Sequence, residues 1–431
     1  MADPTEPSPP WPTAAADGPI VGSLLDTDFY KLLMCQSVMR HHPDVEVTFA
    51  LVNRSALRLD EAIDERTLRT ELERTRALTF TAGEIAFLRG LSQGADRAVF
   101  ASGFLDRLAT LRLPPYELDM RRGRFTLSFR GPWPAVMLWE VPALAILMEL
   151  RSRFIEAQLG AEGRHAARAA AAVRLMGKLD RLAALPGLAL SDFGTRRRHS
   201  LAWQEFAVAA ARSALGSGFL GTSNVLLALR HGLEPIGTSA HELPMVYAAL
   251  ASDDAALAAA PYRVLADWEA DYGGALRIML PDTFGTAAFL RDAPAWVAHW
   301  TGIRVDSGDP QAIADRAIAW WRERGEDPSR KRVIFSDGLD VAAIESLHRR
   351  YAGSVRVAFG WGTLLTNDFR GLAPGDRLAP FSLVCKAVAA DGRPTVKLSD
   401  NPRKALGPPA EVDRYRRVFG TGYQTSRPVE V

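Results

Sequence analysis

A chain of 431 residues with 48% hydrophobic and 24% charged residues exceeds what one compact core usually holds, so two domains or one large barrel with additions are expected. A formal net charge of +2 argues against a polyelectrolyte surface for nucleic acid, while leaving room for a local anion site. Cys35 and Cys385 make neither a disulfide framework nor a thiolate metal site, and no uninterrupted apolar run reaches membrane-spanning length, so a cytoplasmic protein without membrane or nucleic-acid partners is expected.

Residues 1–20 are acidic and rich in Pro and Ala, and read as a disordered leader rather than a signal peptide. Order is expected from Leu24. The stretch Leu25-Asp26-Thr27-Asp28-Phe29-Tyr30-Lys31 starts a helix with Asp26 or Asp28 as N-cap and Tyr30 half-buried. Alternation over 45–51 predicts a strand, and 60–73 and 82–91 predict surface helices. A strand over 125–129 ends in the turn Gly131-Pro132-Trp133-Pro134. Residues 21–140 thus read as an α+β domain. Long helices follow over 141–156 and 162–185.

From there to about 380 the rhythm changes: short apolar strands end in small or charged residues, and helices return the chain. The endings fall at Asp192-Phe193-Gly194, Gly221-Thr222-Ser223, Ile236-Gly237-Thr238, Leu280-Pro281-Asp282, Val305-Asp306-Ser307, Ser336-Asp337-Gly338 and Phe359-Gly360-Trp361-Gly362-Thr363. Seven such endings predict a βα barrel over 141–380, with its chemistry at the C-terminal ends of the strands. Residues 381–387 are either an eighth strand or part of the first domain, and 381–431 forms a closing segment.

The central stretch is Ile236-Gly237-Thr238-Ser239-Ala240-His241-Glu242. Ser239 and Glu242 have capping-box spacing, which predicts Ser239 as N-cap, Glu242 folded back onto it, and His241 in a first turn whose unpaired N–H groups hold anions. Gly360, Gly362 and Thr363 form a small-residue turn open to an oxyanion. Arg196, Arg197, Arg304 and Lys386 supply cations near strand ends, while Asp282, Asp306, Asp309 and Asp337 supply carboxylates. That mixture suits a substrate carrying phosphates, a divalent metal and ribose hydroxyls. Several have plainer readings: Asp309 before Pro310 as an N-cap, Asp337 as a turn residue, Arg198 as a solvated charge or one that supports site residues from behind, and Phe193 as core.

Taken together, Asp26-Thr27-Asp28-Phe29-Tyr30-Lys31, Asp192-Phe193-Gly194-Thr195-Arg196-Arg197, Gly237-Thr238-Ser239-Ala240-His241-Glu242, Arg304-Val305-Asp306-Ser307-Gly308-Asp309-Pro310 and Phe359-Gly360-Trp361-Gly362-Thr363 resemble, in order and spacing, the nicotinate phosphoribosyltransferases of bacteria and fungi. The likeness runs from about Leu24 to about Phe419. It implies an irregular TIM-like α/β barrel of the type II phosphoribosyltransferases, joined to an N-terminal α+β domain that C-terminal strands complete. It implies ATP-coupled condensation of nicotinate with 5-phosphoribosyl 1-pyrophosphate to nicotinate mononucleotide, the entry step of NAD salvage, with release of pyrophosphate, ADP and phosphate.

By the same resemblance, ATP phosphorylates His241. Phe193 stacks on the pyridine ring, and Tyr30 closes its other side, arriving from the neighbouring subunit in dimeric relatives; a homodimer or a monomer using its own Tyr30 is implied. Arg196 lies near the ring substituent, Arg304 by the pyrophosphate or ribose, and Asp306 by the ribose hydroxyls. Asp282 and Asp337 lie near magnesium and the phosphoribosyl group, and Gly360, Gly362 and Thr363 hold the 5-phosphate. Lys386, Lys397 and Lys404 match family lysines, and which one reaches ATP or the 5-phosphate stays open. Trp361 departs from the usual residue between the glycines, and the turn survives if the ring points into the barrel. Ser223 stands where relatives that use nicotinamide carry an aspartate, and a carboxylate there would repel nicotinate. The alternatives are a nicotinamide phosphoribosyltransferase and a non-catalytic pyridine-nucleotide sensor.

Overall fold

The computed structural model describes residues 18–420 apart from 56, 94–96 and 121–124. The expected leader lies outside the described residues up to 17, but its last residues do not: Ile20 and Val21 are buried, and the Ile20 amide donates to Glu71 Oε2 at 2.9 Å. Packing therefore starts before Leu24.

The strands are β1 (Glu46–Asn53), β2 (Ser92–Gln93), β3 (Arg97–Ala98), β4 (Tyr116–Asp119), β5 (Thr126–Pro132), β6 (Leu190–Asp192), β7 (Phe219–Thr222), β8 (Ile278–Met279), β9 (Gly302–Val305), β10 (Arg332–Phe335), β11 (Arg356–Trp361), β12 (Leu383–Ala390) and β13 (Arg393–Pro394). The first main sheet is antiparallel, in the order β13-β12-β1-β5-β4. In it Phe49 of β1 lies opposite Phe129 of β5 and Ala387 of β12, all three buried. The late segment that could have been an eighth barrel strand thus belongs to this sheet, which the C-terminal strands complete.

The second main sheet is parallel, in the order β7-β6-β11-β10-β9-β8. Ile303, Val333 and Val357 share one register row, and Arg304, Ile334 and Ala358 the next. Alternation of side chains sends the two rows to opposite faces. Ile303 and Val333 are fully buried in the main core, whereas Ile278, Ile334 and Ala358 form a small separate cluster on the inner face, where Arg304 also points. One expected ending does not form a strand: 235–238 meets β7 only through a Thr222–Pro235 bridge. Pro235 has no N–H to give a ladder, and Thr238 Oγ1 and the Ser239 carbonyl are taken by Arg304 at 2.7 and 2.9 Å. The barrel is irregular because this stretch stands where a regular strand would.

The run Trp133–Gln158 is long and apolar enough to cross a membrane, yet 94% of its most apolar window is buried in the fold. The helix Glu140–Gln158 packs against β12 and the turn Thr195–Arg197, and so links the two sheets.

The N-terminal stretch docks on the loop after β7. The amides of Phe29, Val225 and Leu226 donate to the carbonyls of Ser223, Thr27 and Leu25 at 2.7, 3.0 and 2.8 Å. Asp28 occupies the N-cap position of the helix Phe29–His41 without a side-chain cap bond. Asp26 does not cap either: Arg198 holds it through Nη1 at 2.5 Å and Nη2 at 2.7 Å, and Asn224 donates at 2.8 Å. Both partners are fully buried, so of the two readings of Arg198 the solvated one does not hold. Losing one partner strands the other charge in the interior. Arg198→Leu should therefore cost about 3–5 kcal/mol in urea denaturation, and a loss below about 1 kcal/mol would show that this pair does not fasten the N-terminal stretch.

Candidate functional site

Lys31 is wholly buried between three elements, and this explains several departures from the sequence reading. Its Nζ lies 2.6 Å from Glu140 Oε2 and also binds Glu242. Burial alone would lower its pKa, but Glu140 and Glu242 reverse this and keep the ammonium charged. Glu242 Oε1 also accepts from Trp133 Nε1 at 2.6 Å. The expected capping box is consequently absent. The helix Glu242–Ala249 begins after His241, and the Glu242 side chain turns inward to Lys31 instead of back to Ser239.

His241 is buried at that helix start. Its Nε2 lies 2.9 Å from Asp306 Oδ2 and 3.8 Å from Asp282 Oδ1, and its Nδ1 lies 3.0 Å from Thr283 Oγ1. Burial pushes the imidazole down to about 4, with Asp282 opposing and Lys397 assisting, so the ring is neutral at pH 7. Burial would raise Asp306, but Arg304, His241 and Lys397 hold it well below the usual carboxylate range. An ionised Asp306 accepts from Nε2, which assigns the proton to that nitrogen and leaves the Nδ1 lone pair beside the Thr283 hydroxyl.

A narrow cavity of about 60 Å³ opens beside this histidine, lined by Tyr30, Phe193, Arg196, Ser223, Arg304 and Lys386. Phe193 lies against Gly360 so closely that a Cβ there would come within 2.2 Å of its ring. The Arg196 guanidinium sits 5.7 Å from the Tyr30 ring centre and 3.3 Å from both Asp28 and Glu140. Burial lowers Lys386 to about 8, with Glu140 opposing from 3.6 Å. Tyr30 is supplied by the same chain as the rest of the cavity, on a helix buried on nearly every side rather than amphipathic.

Next to it lies a polar cavity of about 360 Å³, shared by Phe193 and Arg196 and bounded by Arg197, Gly338, Gly362, Thr363 and Arg370. Burial and Arg196 together push Arg197 down to about 10, as expected of crowded cations that favour an anion. Trp361 points away from the inner face, contrary to the condition set for it. It donates from Nε1 to the Leu339 carbonyl at 2.9 Å and lies under Lys178 at 5.5 Å, so the glycine turn is unobstructed.

Other predicted groups divide between the two sides. Lys397 lies 3.8 Å from Asp282, and Lys404 reaches Asp337 at 2.5 Å and the Asp306 carbonyl at 3.2 Å. Asp309 caps the helix Pro310–Glu323, as its plainer reading held. Among the described residues, the ligand atoms that share one sphere are those of His241, Asp282 and Asp306; Asp337 stands outside that set. Among the site's described residues, Tyr30 Oη, Arg304 Nε and Asp282 Oδ1 are buried without a hydrogen-bond partner. Unpaired buried groups are uncommon and mark a place for a ligand.

The sequence reading missed Glu140, Lys31 and Thr283 as site residues and treated Asp28 only as a cap. A lone acid in the run Val136-Met137-Leu138-Trp139-Glu140-Val141 was a usable signal, because a charge in so apolar a helix needs a partner. Ser223 is also not free of carboxylate chemistry: its hydroxyl donates to Asp28 Oδ1 at 2.7 Å, so the carboxylate missing at position 223 arrives from another element.

An irregular parallel barrel joined to a sheet that both chain ends build is the architecture of type II phosphoribosyltransferases. The structure is similar to nicotinate phosphoribosyltransferase from Vibrio cholerae, at 34% identity over 94% of each chain with a TM-score of 0.83. It is also similar to the enzyme of that name from Porphyromonas gingivalis, at 29% identity over 93% of this chain and 100% of that one, with a TM-score of 0.81. Residues 188–423 match the nicotinate phosphoribosyltransferase (NAPRTase) family and residues 25–148 its N-terminal domain. The chain belongs to the nicotinate phosphoribosyltransferase family.

Gly360→Ala should cost about 1–3 kcal/mol by overpacking against Phe193. In a Phe193→Ala background that cost should largely vanish, a coupling measurable by a double-mutant denaturation cycle. Additive losses would mean that the ring is not seated on Gly360.

Proposed function

We propose that this protein condenses nicotinate with 5-phosphoribosyl 1-pyrophosphate, coupled to ATP, and releases nicotinate mononucleotide, pyrophosphate, ADP and phosphate. The observation that carries the reading is the neutral His241, held between Asp306 and Thr283 on the wall of an aromatic cavity that shares Phe193 and Arg196 with a cationic one. Phe193 and Tyr30 offer faces to the pyridine ring, and Arg196 offers a guanidinium to its carboxylate. The ring nitrogen already carries its lone pair, so no general base is needed to make the nucleophile. The 5-phosphate fits the turn of Gly360, Gly362 and Thr363, with Arg197 at its side. Arg304 faces the departing pyrophosphate, and Asp306 stabilises the positive charge that develops on the ribose.

Magnesium suits the donor set. Asp282 Oδ1 is buried and unpaired, and Asp306 lies in the same ligand sphere, so these two carboxylates would hold it, while Asp337 is engaged by Lys404. When bound, the ion would neutralise charge on phosphate oxygens. His241 presents Nδ1 as the nucleophile toward the γ-phosphoryl group of ATP: the N–P bond forms as the bond to the ADP oxygen breaks. Asp306 on Nε2 stabilises the charge that the ring gains. Tyr30 lines the cavity from the same chain as Phe193 and Arg196, which supports a monomer using its own Tyr30.

Initial rates should favour nicotinate over nicotinamide by at least about 100-fold, since one well-placed charged contact contributes roughly 2–3 kcal/mol. Equal rates would sink the assignment. His241→Asn should abolish ATP hydrolysis coupled to product while a slow ATP-independent transfer persists. Acid-labile, base-stable label from γ-labelled ATP should map to His241, and label on another residue, or unchanged label in His241→Asn, would overturn the phosphohistidine.

A further inference from the structure

The acid-binding pocket already contains a carboxylate. Asp28 lines the cavity of Phe193 and Tyr30, is 2% exposed, accepts from Ser223 Oγ at 2.7 Å through Oδ1, and lies 3.3 Å from Arg196 Nε through Oδ2. Counting the groups behind the cavity wall as well as those lining it, the charges balance: Lys31, Arg196, Arg304 and Lys386 against Asp28, Glu140, Glu242 and Asp306. A substrate carboxylate entering beside Arg196 would add a fifth negative charge to a narrow cavity and draw away the guanidinium on which Asp28 depends.

We propose that Asp28 is a specificity-determining residue which takes up one proton from solvent when a pyridine carboxylate binds Arg196, and stays ionised when the neutral amide binds. This rests on the reading that Arg196 receives the substrate carboxylate. The same hydrogen bond then serves two donors' directions. With Asp28 ionised, the Ser223 hydroxyl points to Asp28 and its lone pairs are left for an amide N–H. With Asp28 protonated, the acid O–H donates to Ser223 Oγ, and the serine hydroxyl turns to the substrate carboxylate. The proton returns to solvent when the carboxylate leaves.

Two neighbouring groups could take up a proton in its place, Asp192 at about 6 and the cavity's Lys386 at about 8, and uptake by either would survive in Asp28→Asn. Thr195 and Arg196 come from the turn after β6, Asp192 from β6, Arg198 from beyond that turn, Glu140 from the helix Glu140–Gln158, and Tyr30 from Asp28's own helix. Glu140 is held well below the usual range, because Lys31, Lys386 and Arg196 together outweigh its burial. Glu242 is bound by Lys31 and Trp133 and does not line the cavity. Asp192 is turned to Gln204 and Thr222 at 2.8 and 2.7 Å. Burial already raises Asp28 above the ordinary carboxylate value, against Arg196, Ser223 and Thr195. The sign follows: binding that needs protonated Asp28 is strongest at low pH and weakens as pH rises through the carboxyl's free-state pKa.

The test is calorimetric titration of the full chain with nicotinate and with nicotinamide, in buffers of differing ionisation heat, between about pH 6 and pH 9. Nicotinate should bind with uptake approaching one proton and lose affinity about tenfold per pH unit at the alkaline end, while nicotinamide binds without uptake. In Asp28→Asn, which mimics the protonated acid, the uptake should vanish and nicotinate affinity should become flat with pH. The wild-type measurement stands even if that variant does not fold. Nicotinate binding without proton uptake, or uptake that survives in Asp28→Asn, would overturn the inference alone. Failure of nicotinate to bind at any pH would remove the substrate reading and this inference with it.

Discussion

The buried ammonium of Lys31 is the constraint on which the site depends. A charge at zero exposure persists only with counter-charges held in place, and here they come from two other elements, Glu140 and Glu242. Because Glu242 is committed to Lys31, the helix behind His241 starts two residues later than a capping box would set it, and the imidazole is presented to Asp306 and Thr283. Because Glu140 is shared by Lys31, Arg196 and Lys386, the cations of the aromatic cavity are fixed to the same point. One buried charge therefore aligns the N-terminal helix, the linking helix and the histidine loop.

The parts of this arrangement visible in the sequence were those with local grammar. Strand endings followed by helices gave the parallel sheet, and the separated motifs gave the family, because loops at strand ends carry their functional residues in short contiguous runs. What stayed hidden was pairing at long range. Ser239 and Glu242 matched a local rule that a tertiary ion pair overrode. Asp26 looked like a cap because nothing near it in sequence announces Arg198. The stretch 235–238 had the composition of a strand, but Arg304, distant in the chain, claims its polar atoms. Trp361 could be placed only once its strand register was known, since one residue of offset sends a side chain to the opposite face.

Phe193 shows how the two cavities are kept in register. Its ring rests on Gly360, a residue of the turn that borders the anion cavity, while lining the aromatic cavity with its other surroundings. A shift of either cavity against the other would have to move this contact, where no space remains. The separation between the two cavities is thus a property of one close-packed pair rather than of flexible loops.

The insertion of β12 beside β1 also bears on how the molecule comes into being. The Glu46 amide donates to Asp391 across 345 positions of chain, and β12 brings Lys386 to the site as it pairs. During synthesis the β1 edge must wait, unpaired, until the chain is nearly finished. Closing so distant a contact is entropically slow, and an open strand edge attracts foreign strands in the interval. The step that finishes the first sheet is also the step that delivers Lys386 to the aromatic cavity, so that cavity is completed last, together with the covering of the exposed edge.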